Sequence, residues 1–464
     1  MTINKFDLNV EKILEDWEVY HAVREIIANA IDEELLTKTR KIEIFKDKTN
    51  CWHIRDYGRG LDHHHLTQKE NDEKLANPRV IGKFGIGLKD ALATFNRKGV
   101  DVSIRSRHED ISFGKTKKHG FEDIITLHAY ISPPSDNKLQ GTEFILKNCS
   151  DSDIAKAKDL FLRFSGEKVL EATSLGQVLE KKSNPARIYV NGVQVAEEDN
   201  FLFSYNITSP NKAIQKALNR ERTNVGRTAY ADRVKKILTA CESQEVAHEL
   251  VRNLANYGAG EHNELDWSEV SVHACRLLND RSKVVFFTSD EAMSTPDLVD
   301  RARSDKYNVI IVPQKVREKL RGMVDIAGNP IRDVEQFSSD WNNSFKFSFV
   351  SEKQLTAGEK RIFEQTDRIL SFVGGRPENV KEILISKTMR FDLHSYREAL
   401  GLWEASENRI VIKRDQLKDL QNYAGTLLHE VAHATSDASD VSRSFESELT
   451  RYLGLVVKKA IKDC

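Results

Sequence analysis

Apolar residues recur at helical spacing near the start of the chain, and shorter apolar runs of strand length follow. The helical positions lie within residues 8–40 and include Ile13, Trp17, Tyr20, Val23, Ile26, Ile27 and Ile31. Strands are predicted over KIEIF, CWHIRD, VDVSIRS, DIITLHAYI and TEFILKN, and a helix over GLKDALATF lies among them. Helices that precede and interrupt a mostly antiparallel strand set predict an α/β sandwich over residues 1–150.

The rest of the chain predicts two further regions. A helix over 151–165, a hairpin in ARIYVNGVQVA, a long helix over YADRVKKILTACESQEVAHELVRNLANY and a βαβα alternation predict an α/β domain over 151–335. The turn-rich stretch DIAGNPIRDVEQFSSDWNNS is the candidate linker. Strands in FKFSFVS, EILIS, GLWEAS and RIVIK, with a helix through EKRIFEQTDRILSFV, then lead to a helix over TLLHEVAHATSD and predict an α+β domain over 336–464. The expected fold class is therefore α/β multidomain.

Composition narrows the function classes. The 464 residues exceed what one core supports, and 70 Lys+Arg against 71 Asp+Glu give a net charge of -1. Such a neutral chain has no global attraction for nucleic acid, and no apolar run reaches membrane-spanning length, so neither nucleic acid nor a membrane is expected as a partner. The five cysteines are scattered, which favours reduced thiols and a cytoplasmic location.

Three short segments of the first region combine polar residues and glycines. In REIIANAIDE, the spacing i, i+4, i+7 places Glu25, Asn29 and Asp32 on one face of a helix. RDYGRGL ends a strand with an aspartate and two glycines, and IGKFGIGLKDAL is a glycine loop that opens a helix. Exposed amides at such a helix start, with a lysine nearby, are suited to phosphate. The residues of these two segments are Asp56, Gly58, Gly60, Gly82, Lys83, Gly85 and Gly87.

In this order and spacing, the three segments resemble the motifs of the GHKL ATPase superfamily, which includes gyrase, heat-shock chaperones, histidine kinases and MutL. The resemblance implies a Bergerat fold that binds ATP and Mg²⁺ under a lid over residues 62–84, with ATP-dependent homodimerisation. It implies that Asn29 coordinates Mg²⁺, that Asp56 binds the adenine amino group, and that Glu25 activates the attacking water. A Gly-Thr pair of the family matches Gly141 and Thr142. The remaining residues carried over as nucleotide contacts are Asp32, Gly58, Gly60, Lys83, Gly85 and Gly87.

A basic stretch in the second region resembles the segment from which heat-shock chaperones supply an arginine to the γ-phosphate. The family pattern L-N-x-x-R-E is similar to KALNRERTNVGR here, with a displacement of two residues. A cation on the γ-phosphate stabilises phosphoryl transfer, so Arg220 is the predicted catalytic arginine and Arg222 the alternative. A solvated basic loop is the other interpretation of the same residues.

The HEVAH motif predicts a second chemistry. On a helix, His429 and His433 are one turn apart and can bind one metal ion, while Glu430 can activate water. A strand before this helix and a helix after it are similar to zincin metallopeptidases. The following helix offers two acids as the third zinc ligand, and its apolar stripe (Phe445, Leu449, Tyr452, Leu453 and Val456) is expected to pack inward. From that stripe, Glu446 is the predicted ligand and Glu448 the alternative.

Together these patterns predict an ATPase that controls a zinc-dependent peptidase acting on a protein or peptide substrate. Two other functions fit parts of the pattern. One is a chaperone-like ATPase with a purely structural zinc site, which would bind zinc and turn over ATP without cleaving peptides. The other is a MutL-like or topoisomerase-like DNA factor, which the near-zero net charge disfavours.

Overall fold

The structure is a computed structural model, and the chain has a mixed α/β, multidomain architecture, as predicted. The structure describes residues 4–8, 16–67, 72–77, 79–82, 87–118, 120–121, 123–218, 225–254, 262–392 and 395–462. The chain forms two compact units, Met1–Ala274 and Cys275–Cys464. The predicted domain breaks near 150 and 335 stay predictions. Within the described residues, no helix combines the length and the apolar character that crossing a bilayer requires.

The first unit begins with an antiparallel seven-stranded sheet in the order β1-β6-β5-β4-β7-β3-β2. The strands predicted in this region are present, and β1 and β5 were missed. The strands are β1 (Asn4–Asp7), β2 (Glu43–Lys46), β3 (Trp52–Arg55), β4 (Asp101–Ser106), β5 (Asp110–Lys117), β6 (Ile125–Ser132) and β7 (Thr142–Lys147).

Four helices accompany this sheet: α1 (Val19–Thr37), α2 (Asp72–Ala76), α3 (Gly87–Lys98) and α4 (Asp151–Asp159). Helix α1 packs against both α3 and α4. Its fully buried aliphatic residues, such as Val23, Ile26 and Ile27, form the core with strand residues. Burial of each such side chain contributes about 1.5–3 kcal/mol. The predicted helix over residues 8–40 is shorter at its start: α1 begins at Val19, and Trp17 packs before the first turn. Residues 9–15 of that prediction, with Ile13, lie outside the described residues.

A five-stranded mixed sheet in the order β11-β10-β12-β9-β8 follows in the same unit. The predicted hairpin is confirmed, and its turn residues Asn191 and Gly192 have φ of 50° and 81°, as tight two-residue hairpins require. The predicted helix over 151–165 is broken after α4, and the long helix is divided into α7 and α8. The elements are α5 (Leu162–Ser165), β8 (Val169–Ala172), β9 (Gly176–Leu179), β10 (Ala186–Val190), β11 (Val193–Glu198), β12 (Ser204–Ile207), α6 (Lys212–Ala217), α7 (Arg227–Thr239), α8 (Gln244–Leu254) and α9 (Ser268–Arg281).

The second unit begins with the predicted βαβα arrangement, in which two short strands pair in parallel. The second half of the candidate linker DIAGNPIRDVEQFSSDWNNS is a helix, with Val334 and Phe337 buried in an apolar cluster. The elements are β13 (Val284–Phe287), α10 (Ser289–Ser294), α11 (Pro296–Ser304), β14 (Asn308–Ile311), α12 (Gln314–Leu320) and α13 (Val334–Ser344).

A four-stranded sheet in the order β15-β16-β18-β17 and four helices complete the second unit. Helix α16 carries the HEVAH motif and packs on β17, β18 and α17, so the motif lies between the sheet and the last helix. Leu453 of α17 was predicted to belong to the inward apolar stripe, but its side chain is 68 % exposed. The elements are β15 (Phe349–Val350), α14 (Ala357–Phe363), α15 (Thr366–Phe372), β16 (Glu382–Ser386), β17 (Gly401–Glu404), β18 (Arg409–Lys413), α16 (Leu420–Ser436) and α17 (Arg443–Lys462).

Candidate functional site

The polar residues of α1 lie on its buried side, among aliphatic neighbours. Glu25 is 3 % exposed, and its Oε1 accepts hydrogen bonds from Nε and Nη2 of Arg24 at 3.1 and 3.0 Å. A Cβ atom at position 87 would lie 2.4 Å from Oε2 of Glu25, so a larger residue there would displace the carboxylate. The Glu25 carboxylate therefore lies against the first residue of α3, where a helix N-terminus favours negative charge.

Asp32 joins α1 to the segment that precedes the glycine loop. Its two carboxylate oxygens accept hydrogen bonds from the backbone amides of Ile81 and Gly82, each at 2.7 Å. Lys74 of α2 donates to Oδ1 of Asn29 at 3.2 Å and lies 3.5 Å from Oδ2 of Asp32. A lysine ammonium thus occupies the position next to the amide oxygen that was predicted to coordinate Mg²⁺.

Asp56 follows β3 and contacts the start of β7, its neighbour in the sheet. Its Oδ1 accepts from the amides of Gly58 at 2.9 Å and Thr142 at 3.3 Å, and Thr142 Oγ1 accepts from the Leu61 amide at 3.0 Å. Burial raises the pKa of Asp56 to about 6, although these amide hydrogen bonds oppose the change. Gly141 has φ of +80°, and a Cβ there would lie 2.2 Å from the Asp56 carbonyl oxygen, which explains the glycine before the threonine.

The glycines after Asp56 also make close contacts. A Cβ at Gly58 would lie 2.3 Å from Cγ of Glu33, and Gly60 adopts φ of +87°. Glu33 accepts from Arg59, through both the backbone amide and Nε, at 2.9 Å. The structure therefore brings the three sequence segments together around α1. Four of the residues predicted to act here (Lys83, Gly85, Arg220 and Arg222) lie outside the described residues.

The HEVAH motif places two imidazoles and one carboxylate around a common point. Nε2 of His429 and Nε2 of His433 are 3.2 Å apart, and each lies 2.9 Å from Oδ1 of Asp440. Donors that share one tetrahedral zinc ion, at bond lengths near 2.1 Å, lie roughly 3.4 Å apart. Two imidazoles and a carboxylate also match the donor types of catalytic zinc sites. The residues present therefore fit a zinc ion.

Neighbouring groups fix the orientation of both imidazoles. His433 Nδ1 donates to the carbonyl oxygen of Ala438 at 2.7 Å, which leaves Nε2 as the atom with a free lone pair in the neutral ring. The ring of Phe445 stacks on His433 with centroids 4.2 Å apart and meets the edge of His429 at 4.8 Å. Burial lowers the pKa of His429, which favours the neutral form that binds metals.

Glu430 lies beside this group and against the edge strand β17. It is 6 % exposed, and a Cβ added at Gly401 would lie 2.6 Å from its Oε1. Burial raises the pKa of Glu430 to about 8, and the negative charge of Asp440 adds to this rise. The backbone amide of Trp403 donates a hydrogen bond to Glu430 and opposes the rise. A cation bound nearby would favour the ionised carboxylate and so counteract the effect of burial.

The two acids predicted as the third zinc ligand have other surroundings in the structure. Glu446 is exposed on the first turn of α17, and Glu448 forms an ion pair with Arg451 at 2.6 Å. Neither acid joins the two imidazoles among the described residues; Asp440, in the loop between the helices, does so. Sequence reasoning had looked for an acid on the second helix. The signal it passed over was the acidic loop DASD directly after the motif helix.

Comparisons with known proteins give relatives without an assigned activity. Residues 152–244 match a family model described as the Mycoplasma pneumoniae MPN635 N-terminal domain. An uncharacterized protein of Mycoplasma pneumoniae is 40% identical over 237 residues, which cover 50% of this chain and 95% of the relative. A second uncharacterized protein of that organism is 25% identical over 356 residues, or 69% of this chain and 96% of the relative. A third is 24% identical over 184 residues, or 39% of this chain and 98% of the relative.

Proposed function

We propose that this chain, which belongs to the same family as the 40% identical Mycoplasma pneumoniae protein, is an ATPase that controls a zinc-dependent peptidase. The proposal assigns a Bergerat-type ATP site to the first unit and a zincin-like peptidase site to the second. The region between them would act as a transducer. The family relationship carries no activity with it, so the proposal depends on the chemistry of the two sites.

The observation that carries the proposal is the meeting of three ligand atoms beside a buried glutamate. Nε2 of both histidines and Oδ1 of Asp440 lie within 3.2 Å of one another, and Glu430 lies on the same helix. A zinc ion at these atoms would polarise a carbonyl group and lower the pKa of water in its fourth position. Glu430 would take a proton from that water and pass it to the departing amine.

The edge strand next to Glu430 supports a peptide as the substrate. β17 ends the order β15-β16-β18-β17 and pairs with β18 alone among the described strands. An extended peptide can add to such an edge through backbone hydrogen bonds. The Trp403 amide, which donates to Glu430, marks this edge as the side that faces the motif helix. A peptide bound there would lie beside the carboxylate that moves the proton.

The ATP half of the proposal is supported by how the motif residues converge. Asp56 is a buried acceptor at a strand end, suited to an exocyclic amino group. Asn29 and Asp32 present oxygen atoms around a cation, which in this structure is the ammonium of Lys74. Mg²⁺ prefers such oxygen ligands together with phosphate oxygens. In this proposal Glu25 orients the attacking water, and Arg220 stabilises the γ-phosphate.

The decisive experiment measures metal content and cleavage on the purified full chain. We expect one zinc per chain and cleavage of fluorescently labelled casein. Glu430→Gln should keep the zinc and lower cleavage by about 100-fold or more, as loss of a general base does. The control Glu446→Gln, an exposed acid of α17, should change neither. Zinc binding with ATP turnover but no cleavage would favour the structural-zinc ATPase, and absence of zinc would refute the peptidase.

The link between the two sites needs its own test. Wild-type cleavage is measured with and without ATP, and Glu25→Ala should remove the ATP effect while leaving nucleotide binding intact. Glu180→Ala, a change at an exposed acid, is the matched control. If ATP never alters casein cleavage by the wild type, control by ATP is wrong, whereas each site can still act alone.

A further inference from the structure

A cleft of about 880 Å³ lies beside α1 in the first unit, and the proposed function uses Asp32 of its lining but not the cleft itself. One wall is the C-terminal half of α1 with the segment around Arg79. The other wall is the second sheet and its turns, including Ser174, Gln177 and Thr208. This volume lies in the range of small-molecule sites. Neither Asn29 nor Asp56 lines the cleft, so it is distinct from the proposed adenine position, and it shares Asp32 with the proposed magnesium position.

The two walls are tied together, so the cleft is preformed. Both Nη atoms of Arg163 in α5 donate to the two carboxylate oxygens of Glu34 on α1, each at 2.8 Å. At the hairpin turn, Nδ2 of Asn191 approaches the carbonyl oxygen of Val80 at 3.5 Å. A ligand would therefore meet a cavity whose opening is already fixed, which lowers the entropic cost of binding.

The acidic side chains that line the cleft have partners within the protein, and the basic side chains have no acidic ones among the described residues. Both acids are neutralised within the protein: Glu34 by Arg163, and Asp32 by two backbone amides and Lys74. The two cations of the lining, Lys38 and Arg79, have no carboxylate within ion-pair distance in the part of the chain that the structure describes. The cleft therefore has a surplus of positive charge, which attracts an anion.

The uncharged part of the lining combines apolar residues, such as Ile31 and Leu35, with side chains that can form hydrogen bonds. Asn206 is held by the Gly192 amide at 2.9 Å and itself donates to Oε1 of Gln177 at 2.8 Å, so both amide side chains are oriented. Hydroxyl groups of Ser174 and Thr208 lie in the same lining. Such groups suit the hydroxyls of a polyhydroxylated ligand, and a guanidinium suits a phosphate.

We propose that this cleft binds a small phosphate ester that carries hydroxyl groups, of the sugar phosphate class. Lys38 and Arg79 bind the phosphate, and the amide and hydroxyl side chains of the opposite wall bind the sugar. This site goes beyond the proposed function, since it requires neither ATP turnover nor zinc. Asp32 lies at the border of the cleft and also holds the segment before the glycine loop.

Isothermal titration of the full chain with glucose 6-phosphate, inorganic phosphate and glucose tests the proposal. We expect saturable binding of glucose 6-phosphate, at least about tenfold weaker binding of phosphate alone, and none of glucose. Lys38→Gln and Arg79→Gln should each weaken glucose 6-phosphate about tenfold, as loss of a charge-assisted hydrogen bond does. Lys147→Gln, at an exposed lysine at the end of β7, makes the same change in net charge and should have no effect.

A variant of the opposite wall tests whether the ligand binds inside the cleft. Ser174→Glu places a negative charge in the cleft and should abolish glucose 6-phosphate binding, with an unchanged circular dichroism spectrum and melting temperature. The proposal is overturned if glucose 6-phosphate gives no saturable heat. It is also overturned if glucose binds as well as its phosphate, or if Lys147→Gln weakens binding as much as Arg79→Gln.

Discussion

The two candidate sites differ in how their polar atoms are used. In the first unit, Glu25, Asp32 and Asp56 are almost fully buried, and each carboxylate is engaged by protein donors. In the second unit, Nε2 of both histidines faces Oδ1 of Asp440. The side chain of Asp440 is 65 % exposed, so this group of donors is open to solvent on one side. The first arrangement must release partners to bind a ligand, whereas the second is ready for an ion.

This contrast separates two contributions that a polar side chain can make. A buried carboxylate that accepts two backbone amides stabilises the fold, and its loss leaves amides without partners. A solvent-facing cluster of donors contributes little to stability, and its loss is felt when the ligand binds. Substitutions in the two sites should therefore change different measured quantities, and the predictions run from the largest effect to the smallest.

The largest expected effect is on zinc affinity. His433→Ala and Asp440→Ala should each lower it by more than about 100-fold, because each removes one of the three proposed ligands. Competition with a chelator, followed by metal analysis, measures the change. Glu446→Ala should bind zinc like the wild type. If Glu446→Ala loses zinc while Asp440→Ala keeps it, the third ligand is Glu446 and not Asp440.

The next effect is on stability in the first unit. Asp32→Ala should lower the free energy of unfolding by about 3 kcal/mol, since it leaves the amides of Ile81 and Gly82 unpaired next to Lys74. Urea denaturation measures it. Asp232→Ala, at an exposed acid paired with Lys236, should cost under about 0.5 kcal/mol. Equal losses in the two variants would contradict the structural role given to Asp32.

The pH dependence of stability probes the buried carboxyl at the end of β3. The folded pKa of Asp56, about 6, is above the usual aspartate value of 3.8, so the folded state binds its proton more tightly. Asp56 therefore lowers stability as the pH rises from about 4 to 6, by roughly 2–3 kcal/mol in total. Asp56→Asn should remove this loss, because its amide oxygen can still accept from Gly58.

Urea midpoints of wild type and Asp56→Asn at pH 4, 5, 6 and 7 measure that difference. The buried Glu264, with a pKa raised to about 7, adds a loss of the same sign and remains in both proteins. Only the difference between the two curves therefore reports on Asp56. Parallel curves would show that this carboxyl titrates normally in the folded chain.

Sequence periodicity predicted most of the elements around both sites, because apolar spacing determines which face of a helix or strand is buried. It predicted α3, α16 and the central strands, and it placed Glu25, Asn29 and Asp32 on one face of α1. It missed β5, whose sequence ISFGKTK has few apolar residues, and it extended α1 to residue 8 because Trp17 continued the apolar spacing.

The carboxylate that meets the two imidazoles could not be predicted from the same rules. Periodicity describes faces of regular elements, and Asp440 lies in the loop before α17, where position depends on how the chain turns after Asp437. That residue adopts φ of 52°, which ends α16 and redirects the chain. The pairing of Lys74 with Asn29 was hidden for the same reason, since a contact across 45 residues has no local sequence signal.

The smallest expected effect is on nucleotide affinity. It tests whether the first site, whose polar atoms already have protein partners, must release one of them to bind its ligand. If Mg²⁺ binds at Asn29 with ATP, the Lys74 ammonium must leave, so Lys74→Met should tighten Mg²⁺–ATP binding by about three- to fivefold. Titration calorimetry with and without Mg²⁺ measures it. The gain should vanish without Mg²⁺, and Lys147→Met should show none. Weaker binding by Lys74→Met would mean that this lysine contacts the phosphates, and the first site would then be as ready for its ligand as the second.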